Sequence, residues 1–340
     1  MKKDSNILFL KQEDAIKAGV LDMKACLADT EKALAMLSDN EIENPAKTSL
    51  KIYKDNEYYF KLNSMPIYIG GDINRPGVKW AGESPLNLRT HEHPMGIDIM
   101  ILSDPETVLP VCIMDATLVT AMRTSSCTVT AAKYMKKPGP QSVALIGAGV
   151  IGRTMLMALR DSDAEFSKIR FCDLDIEKAK LVAKGFEGDL DITVTDSAEE
   201  AIRGADIVIT ATTANKQIVQ HDWIEDTSVI LQVGMNEYPI ECITETDQLV
   251  VDNWDQMYKF KGSNFLKLYE EGKVDKEKTL DLGDVVSGKQ VARKNDSQKM
   301  MYMSRGLGCL DVMVGNRVYL KAKEMGIGQT IKLWDEPIWK

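Results

Sequence analysis

The spacing of hydrophobic residues changes twice along the chain. From Ala15 to Leu37 apolar residues recur at helical spacing, after a short apolar strand that begins near Asn6. The next stretch has short, partly alternating apolar runs separated by turn sequences rich in Gly, Pro, Asn and Asp. This pattern predicts consecutive strands of an antiparallel or mixed sheet at residues 58–65, 77–82, 97–102 and 111–114.

A long helix is predicted to follow these strands. Asp115 is a suitable N-cap, and the helix is expected to run to about Met135. It is rich in small residues, which permit another backbone or a ligand to approach closely. The sequence Lys-Lys-Pro-Gly-Pro at residues 136–140 then interrupts the pattern.

Beyond this break, predicted strands alternate with predicted helices. The strands are expected at residues 143–146, 168–172, 192–195, 207–210, 229–233 and 248–251, with helices at 151–160, 176–184 and 198–203. Such alternation predicts a doubly wound parallel sheet. Residues 260–294 are charged and carry weak signals. The pattern at residues 300–325 predicts one long helix or a helix pair that starts near Ser304 and Gly306. We expect this helical segment to return to the first domain.

The composition narrows the classes of function. The chain of 340 residues has 42 Lys and Arg against 51 Asp and Glu, a net charge of −9, which argues against a nucleic-acid-binding surface. No apolar run approaches the ~20 residues that span a bilayer. The apolar stretch near the N-terminus is too short for a signal peptide. We therefore expect a cytoplasmic protein with no membrane or nucleic-acid partner.

A metal site is not expected. The six cysteines are scattered singly, without the spacing of metal ligands, and are interpreted as small buried apolar side chains. There are only three histidines. Two of them, His91 and His93, lack the i, i+4 helical spacing of a zinc site, and Pro94 marks their segment as a loop.

The strongest motif is a glycine loop. A predicted apolar strand leads directly into the pattern G-x-G-x-x-G, formed by Gly147, Gly149 and Gly152, and a predicted helix follows. The first glycine permits the tight turn, the second lets the backbone approach a pyrophosphate, and the third allows close helix–strand packing. Val150 and Ile151 belong to the helix N-terminus, whose N–H groups and positive dipole end suit phosphates. The motif predicts a dinucleotide-binding domain.

An acidic residue at the end of the next strand selects the dinucleotide. Asp173 stands where a carboxylate accepts hydrogen bonds from the ribose hydroxyls and repels a 2′-phosphate. NAD is therefore predicted, and NADP is disfavoured. The alternative ribose contact is Asp175, for which we prefer the interpretation of a helix N-cap.

Two cationic side chains in apolar surroundings are candidates for substrate binding. Lys79 lies within an apolar strand, where an inward-facing ammonium needs a partner such as a substrate carboxylate. It could equally face solvent, since strand faces alternate. Arg123 lies among small and apolar residues of the long helix, and a structural ion pair is its alternative role.

Together these motifs resemble the ornithine cyclodeaminase/mu-crystallin family over nearly the whole chain. The resemblance rests on Met65-Pro66, Val78-Lys79-Trp80, Asp104-Pro105-Glu106-Thr107, Met122-Arg123-Thr124, the glycine loop, Asn295-Asp296-Ser297-Gln298 and Ser304-x-Gly306. Within the family the sequence is most similar to the branch that oxidises N-(2-amino-2-carboxyethyl)-glutamate. The shared features are Ile69-Gly70-Gly71, Asp104 to Thr107, Val250-Val251-Asp252-x-Trp254 and Glu271-Gly272-Lys273.

The resemblance implies a two-domain homodimer of the α/β class that binds a small amino-acid substrate between its domains. A discontinuous α+β domain for substrate binding and dimerisation would comprise residues 1–125 and 305–340. A Rossmann NAD-binding domain would comprise residues 126–304.

Site residues carry over one by one. Lys79 and Arg123 would bind the substrate α-carboxylate, and Lys79 is also a catalytic candidate. Lys47 stands where many family members have an arginine that binds the carboxylate. Thr212 would line the cofactor, and Ser304 with Gly306 would lie near the nicotinamide.

The main departure from the family pattern lies at Asn236, where similar cyclodeaminases have an aspartate that binds the amine and handles protons. An amide can hydrogen-bond an amine or imine, and on that basis Asn236 is a catalytic candidate, but an amide cannot act as a general base. Glu237 could substitute, although we prefer to interpret it as a surface carboxylate of a loop. Ornithine cyclisation is therefore disfavoured, whereas hydride transfer at an amine or imine carbon is not affected.

The function expected is an NAD-dependent oxidoreductase acting on the amine or imine carbon of an α-amino or N-substituted amino acid. Two alternatives stay open at this point. One is a true ornithine cyclodeaminase, which uses and regenerates NAD within one turnover. The other is a mu-crystallin-like protein that binds a dinucleotide and a small acid without turnover.

Overall fold

The computed structural model describes residues 5–55, 57–90, 92–214 and 216–339. The chain forms two compact units. Unit 1 contains residues 5–22, Asp39–Arg123 and 307–339, and unit 2 contains Met23–Ser38 and Thr124–Gly306. Among the described helices, none is long and apolar enough to cross a membrane.

The strands of the described chain are numbered in order along the sequence. They are β1 Asn6–Leu10, β2 Ile42–Glu43, β3 Thr48–Lys54, β4 Glu57–Ile69, β5 Arg75–Glu83, β6 Gly96–Ser103, β7 Pro110–Asp115, β8 Gln141–Ile146, β9 Phe166–Cys172, β10 Asp191–Val194, β11 Ile207–Thr210, β12 Val229–Gln232, β13 Gln248–Val251, β14 Thr279–Asp281, β15 Met300–Met303 and β16 Gln329–Lys332.

The helices are numbered in the same way. They are α1 Gln12–Lys17, α2 Met23–Ser38, α3 Pro85–Thr90, α4 Thr117–Met135, α5 Val150–Asp161, α6 Ile176–Lys184, α7 Ala198–Ile202, α8 Glu241–Thr244, α9 Trp254–Met257, α10 Asn264–Glu270, α11 Leu282–Val286 and α12 Gly308–Met325. A short 3₁₀ turn spans His221–Trp223.

Unit 1 is built on a mixed sheet with the order β16-β1-β7-β6-β5-β4-β2, and β3 also pairs with β4. Neighbouring strands from β4 to β7 are antiparallel, whereas β1 runs parallel to β7. Helix α12 packs on one face of this sheet. Its glycines permit a close approach, since a Cβ on Gly315 would come within 2.5 Å of the Met100 sulfur.

The two faces of this sheet differ in exposure. Lys79 pairs with Met65 and Met100 in the neighbouring strands, and all three side chains are buried. Successive strand residues point to opposite faces. Trp80 and its partner Ile99 therefore belong to the other face, where both are exposed.

Unit 2 is built on a parallel sheet with the order β10-β9-β8-β11-β12-β15-β13-β14. The chain proceeds from β8 to β9 and β10 on one side and then returns to β11 on the other, which makes the carboxyl ends of β8 and β11 the topological switch point. The strands from β11 to β13 and β15 are fully buried, as expected for a parallel sheet covered on both faces.

The predicted fold class, a doubly wound parallel sheet with a second α+β unit, is confirmed. The predicted helical segment 300–325 is wrong at its beginning, because Met300–Met303 is the strand β15, paired with β12 and β13. A run of four apolar residues has no period of its own, so its partners decide its conformation. The helix α12 begins only at Gly308.

The units divide within α4, after Arg123, and again after Gly306. These points lie near the predicted boundaries at residues 125 and 305. Helix α2 differs from the prediction, because it belongs to unit 2 and packs on α5 and α11. Its Ser38 hydroxyl donates a 2.6 Å hydrogen bond to the Asp284 carboxylate. Interactions of this kind join segments distant in sequence, which local periodicity does not reveal.

Candidate functional site

The glycine loop follows β8 and leads into α5, with Gly149 as the N-cap. Gly147 has a φ of +112°, and a Cβ there would lie 2.5 Å from the Ala211 carbonyl oxygen. A Cβ on Gly152 would lie 1.8 Å from the Gly147 carbonyl oxygen. Both positions therefore require glycine, one for its backbone conformation and one for close packing.

Gly149 differs from its two neighbours in the motif. A Cβ on this residue would meet no atom within 4 Å. The space beside it is open, at the N-terminus of a helix of 12 residues whose first positions are Val150 and Ile151. Unpaired N–H groups and the positive dipole end at such a terminus suit a pyrophosphate. The loop therefore fits the predicted cofactor.

Asp173 lies beside the glycine loop, just beyond β9. Its carboxylate accepts hydrogen bonds from the backbone N–H groups of Ala148 at 2.6 Å and Asp175 at 2.9 Å. Asp175 in turn caps α6 by accepting a hydrogen bond from the Lys178 N–H at 3.1 Å, which confirms its interpretation as an N-cap. Asp173 has the position expected of a ribose ligand, and that role stays a prediction.

Glu237 corrects a prediction made from the sequence. We interpreted it as a surface carboxylate, but its side chain is completely buried. It accepts hydrogen bonds from the hydroxyls of Thr210 at 2.7 Å and Thr212 at 2.6 Å. It also accepts from the backbone N–H groups of Thr212 at 3.2 Å and Gly234 at 3.1 Å. Glu237 thus joins the segments that follow β11 and β12 at the carboxyl edge of the sheet.

Burial raises the pKa of the Glu237 carboxyl, and its hydrogen bonds oppose this effect only partly. The donors are neutral groups, so no cation compensates the desolvation of the charge. Nothing in the local sequence indicated this environment, because the residue precedes Tyr238 and Pro239 in a predicted loop. Thr212, predicted to line the cofactor, is oriented by this carboxylate.

Asn236 has a left-handed backbone conformation, with a φ of +59°. Its side-chain carbonyl accepts a hydrogen bond from the Asn264 N–H at 3.2 Å, and its amide donates to the Gly262 carbonyl at 3.4 Å. The side chain therefore bridges to the first residue of α10 and to the loop before it. This is a positioning function, and the predicted catalytic function of Asn236 stays a prediction.

The segment after β15 is held by a buried carboxylate. Asp252 follows β13, and its Oδ2 accepts hydrogen bonds from the backbone N–H groups of Arg305 at 2.6 Å and Gly306 at 2.5 Å. The same oxygen accepts a longer bond from the Ser304 hydroxyl at 3.3 Å. Gly306 has a φ of +82°. Ser304 and Gly306, predicted to lie near the nicotinamide, thus form a rigid turn at the carboxyl edge of the parallel sheet.

Unit 1 contains a separate cluster of buried charges. Lys79 and Arg123 both contact Asp311 Oδ1, at 2.8 Å from the lysine Nζ and 3.0 Å from the arginine Nε. Lys79 also donates to the Thr120 hydroxyl at 3.2 Å, and that hydroxyl donates to Asp98. The structure thus brings together the two cations that the sequence predicted. Arg123 forms the structural ion pair named as its alternative role. The predicted roles of Lys79 and Arg123 in substrate binding and catalysis stay predictions. The solvent-facing alternative for Lys79 is wrong, since only 2% of its surface is exposed.

Asp311 was missed by the sequence analysis, although a signal existed. It is the single charged residue in an apolar run of α12, and a buried carboxylate in such a run needs a cation. Burial alone would raise the pKa of Asp311, but the charges of Arg123 and Lys79 lower it below its ordinary value. Burial raises the pKa of Asp98, which lies 3.8 Å from the lysine Nζ.

The remaining predicted residues are placed as follows. Lys47 lies between β2 and β3 of unit 1, and its role in carboxylate binding stays a prediction. All six cysteines are buried, as interpreted. His91 lies outside the described residues. Within the described ranges, no group of three or more His, Cys, Asp and Glu side chains could hold a metal ion.

Comparison with known proteins adds a family to this geometry. Residues 9–326 match the family model described as the ornithine cyclodeaminase/mu-crystallin family. N-((2S)-2-amino-2-carboxyethyl)-L-glutamate dehydrogenase of Staphylococcus aureus is 27% identical, and the match covers 96% of this chain and 99% of the relative.

Two solved structures share the fold over the whole of their chains. Thermococcus litoralis Delta(1)-pyrroline-2-carboxylate reductase, in complex with NADH and L-proline, is 28% identical with a TM-score of 0.87, covering 96% of this chain and 100% of that one. An archaeal alanine dehydrogenase dimer with bound NAD is 26% identical with a TM-score of 0.84, covering 97% and 100%. Both neighbours contain the cofactor that the glycine loop and Asp173 predict.

Proposed function

Because the chain belongs to the ornithine cyclodeaminase/mu-crystallin family, we propose that it is an NAD-dependent oxidoreductase acting at the amine or imine carbon of an amino acid. The substrate is an α-amino or N-substituted amino acid, and N-(2-amino-2-carboxyethyl)-glutamate is the first candidate. The observation that carries the proposal is the pairing of Lys79 and Arg123 on one buried carboxylate, in a chain that also has a dinucleotide loop.

Lys79 and Arg123 bind the substrate α-carboxylate. Both are fixed by Asp311, so little side-chain freedom is lost when a ligand binds. An ammonium and a guanidinium supply charge-assisted hydrogen bonds, which are roughly twice as strong as neutral ones. Lys47 adds a third cation of the same unit. The role of these residues is to hold and orient the reacting carbon.

Gly147, Gly149, Gly152 and Asp173 would hold NAD. Thr212 would line the cofactor, and Ser304 with Gly306 would lie near its nicotinamide. When bound, NAD would supply the hydride acceptor, or in its reduced form the hydride donor. The Cα–H bond of the substrate breaks with its electron pair, and the amine nitrogen loses a proton, so that a C=N bond forms. Water then adds to this imine carbon and the C–N bond breaks, which releases a carbonyl compound and an amine.

The environments of Asn236 and Glu237 disfavour the ornithine cyclodeaminase alternative. Both functional groups of the Asn236 amide bind the backbone at the start of α10 and in the loop before it. Both oxygens of Glu237 accept hydrogen bonds from threonine hydroxyls and backbone N–H groups. Neither side chain is therefore arranged to exchange a proton with a bound amine. An activity assay distinguishes the oxidoreductase from the mu-crystallin-like alternative, in which the protein binds its ligands without turnover.

The proposal is tested by following NADH formation in purified protein with NAD. The panel contains N-(2-amino-2-carboxyethyl)-glutamate, alanine, lysine and ornithine, with proline and ammonia assayed in parallel. NADH formation with one of these substrates is the expected result. Proline formed from ornithine without net NADH would overturn it in favour of a cyclodeaminase, and ligand binding without any turnover would favour the binding protein.

The variant Lys79→Gln sharpens the assay. It removes a carboxylate ligand in unit 1 and leaves the cofactor residues of unit 2 unchanged. We expect kcat/KM to fall by about a hundredfold or more, because a charge-assisted contact is lost and Asp311 loses one of its cations. The dissociation constant of NADH, measured by fluorescence, should stay within about twofold. Equal losses of both would contradict the assigned role.

We also propose that the protein is a homodimer. The face of the unit 1 sheet opposite α12 exposes Leu50, Trp80, Ile97 and Ile99. A contiguous exposed apolar face of this kind is typical of an interaction surface. The archaeal alanine dehydrogenase neighbour is a dimer. Sedimentation equilibrium tests this proposal, since the mass of one chain alone would contradict it. The cytoplasmic location expected from the sequence stays a prediction.

A further inference from the structure

Arg305 lies at the edge of the parallel sheet where ligands bind. It follows β15, whose parallel neighbours are β12 and β13. The glycine loop after β8 and the segment around Thr212 after β11 lie at the same carboxyl edge, because all these strands are parallel. Open α/β sheets bind their ligands at this edge. Arg305 is therefore a cation at the ligand edge of unit 2, and the proposed function assigns it no role.

The backbone of Arg305 is fixed. Its N–H donates a 2.6 Å hydrogen bond to the buried carboxylate of Asp252, and the following Gly306 N–H donates to the same oxygen. The preceding Ser304 N–H donates to the Gln232 carbonyl at 3.1 Å, which joins the turn to the end of β12. The side chain of residue 305 therefore starts from a rigid point.

The guanidinium group is also fixed. Its central carbon lies 3.4 Å from the centroid of the Phe260 ring, which is direct contact with the face of the ring. A guanidinium that stacks by its face directs its N–H donors outward in its own plane. This is the geometry that binds a carboxylate through two parallel hydrogen bonds. Arg305 is only partly buried.

The aromatic platform is itself held in place. The Phe260 carbonyl accepts hydrogen bonds from the hydroxyl of Ser263 at 2.8 Å and from its N–H at 3.3 Å. The same loop is attached to the end of β12 by Asn236, which binds Gly262 and Asn264. The side chain that replaces the family aspartate thus supports the loop beneath Arg305. The backbone of Arg305, the Phe260 loop and the guanidinium are thus each held by contacts within the protein.

From this placement we infer that Arg305 is a specificity-determining residue, which selects substrates that carry a second carboxylate beyond the α-carboxylate. The inference rests on the proposed function and narrows its substrate class to acidic amino acids. A fixed guanidinium at this edge favours a distal carboxylate and repels the distal ammonium of ornithine or lysine. Asn236 acts here as a positioning residue, through Phe260.

The test compares Arg305→Gln with a matched control. Arg160→Gln removes the same charge in unit 2 from a guanidinium that also lies over a phenyl ring, at 5.8 Å from Phe186. Arg160 is in the last turn of α5, far along the helix from its N-terminus at the ligand edge. For each protein, kcat/KM is measured with N-(2-amino-2-carboxyethyl)-glutamate and with its distal amide. The dissociation constant of NADH is measured in parallel by fluorescence.

We expect the wild-type protein to prefer the acid over the amide by about tenfold to a hundredfold, the range for one charge-assisted hydrogen bond. Arg305→Gln should lose this preference and keep the NADH dissociation constant within about twofold, whereas Arg160→Gln should keep both. Phe260→Leu should give an intermediate loss. A wild-type enzyme without the preference, or a variant that keeps it, overturns the inference. A parallel loss of NADH affinity would assign Arg305 to the cofactor and overturn it as well.

Failure of the proposed function is distinguishable from failure of this inference. If no amino acid is turned over, the oxidoreductase proposal is wrong, and binding decides the role of Arg305. Glutamate and glutamine differ only in the distal carboxylate, and their affinities for the NADH-loaded protein are measured by calorimetry. A preference for glutamate that Arg305→Gln abolishes supports the inference, and equal affinities in the wild-type protein contradict it.

Discussion

A comparison of two buried carboxylates, one in each unit, shows how the neighbouring groups determine the pKa of a carboxyl group. Asp311 of unit 1 and Glu237 of unit 2 are both completely removed from solvent. Asp311 contacts two cations, and its pKa is lowered. Glu237 contacts only hydroxyls and backbone N–H groups, and its pKa is raised. Burial is common to both, so the difference comes from the cations.

The two arrangements suit different tasks. In unit 1 the carboxylate holds a lysine and an arginine in fixed positions, where they can bind an anionic ligand. In unit 2 the carboxylates Glu237, Asp252 and Asp281 accept hydrogen bonds from the backbone and so determine the course of the chain at the carboxyl edge of the sheet. The buried carboxylate of the first unit thus holds charged side chains, whereas those of the second unit hold the backbone.

The largest effect is expected from Asp311→Asn. Neutralising this carboxylate leaves Lys79 and Arg123 buried without their shared counter-charge. Breaking a buried ion pair in this way costs about 3–5 kcal/mol of unfolding free energy. Urea denaturation measures it.

The matched control is Asp163→Asn. The Asp163 side chain is 73% exposed and pairs with Lys133 at 2.8 Å, so the same chemical change should cost about 1 kcal/mol or less. If both variants lose equally little stability, cation pairing is not what distinguishes Asp311 from an ordinary surface carboxylate.

A second pair of variants separates backbone packing from ligand approach in unit 2. Gly152→Ala forces a Cβ against the Gly147 carbonyl, and overpacking of this kind costs about 1–3 kcal/mol. Gly149→Ala adds a Cβ where no protein atom lies within 4 Å, so stability should change by less than about 0.5 kcal/mol.

The second comparison between these two variants is their affinity for NADH. We expect Gly149→Ala to weaken NADH binding by about tenfold or more, because the second glycine of the motif lets the backbone approach the pyrophosphate. Melting temperature and NADH fluorescence are measured on both variants. Unchanged NADH affinity in Gly149→Ala would place the pyrophosphate elsewhere.

The smallest effect is expected from Asp281→Asn and depends on pH. Burial raises the pKa of Asp281 to about 6, above the ordinary value of 3.8. The folded protein therefore binds this proton more tightly than the unfolded chain, so the stability gained by protonation is complete below about pH 4 and is lost as the pH rises to about 6.

Asparagine keeps the oxygen that accepts the Trp254 N–H and has no charge to desolvate. A shift of two pKa units corresponds to about 3 kcal/mol. Solvent screens this partly buried carboxylate, so we expect Asp281→Asn to be more stable than the wild-type protein by about 1 kcal/mol at pH 7 and equally stable at pH 4. Thermal denaturation at both values measures this. Asp255→Asn, which neutralises an exposed carboxylate of the same unit, is the control and should show no such gain. A gain at pH 4 as large as at pH 7 would mean that desolvation of the charge is not the cause.

Local pattern predicted much of the parallel sheet and of the glycine loop. Strands buried on both faces have continuous apolar sequences, and the helices between them have their own period. The glycine motif lies within six consecutive residues, from Gly147 to Gly152. The cofactor-binding prediction therefore depends on one short segment. The strand β15 was missed, because Met300–Met303 owes its conformation to β12 and β13.

The sequence by itself determined the doubly wound sheet, the dinucleotide loop and the two cations Lys79 and Arg123, since each depends on residue type and spacing within a segment. Only the tertiary structure decided that Asp311 forms ion pairs with both cations, that Glu237 is buried and that the Arg305 guanidinium lies over the Phe260 ring. Their partners lie far apart in the chain, Lys79 and Asp311 by 232 residues. The pKa of a buried group depends on its neighbours in space, which a one-dimensional pattern does not specify.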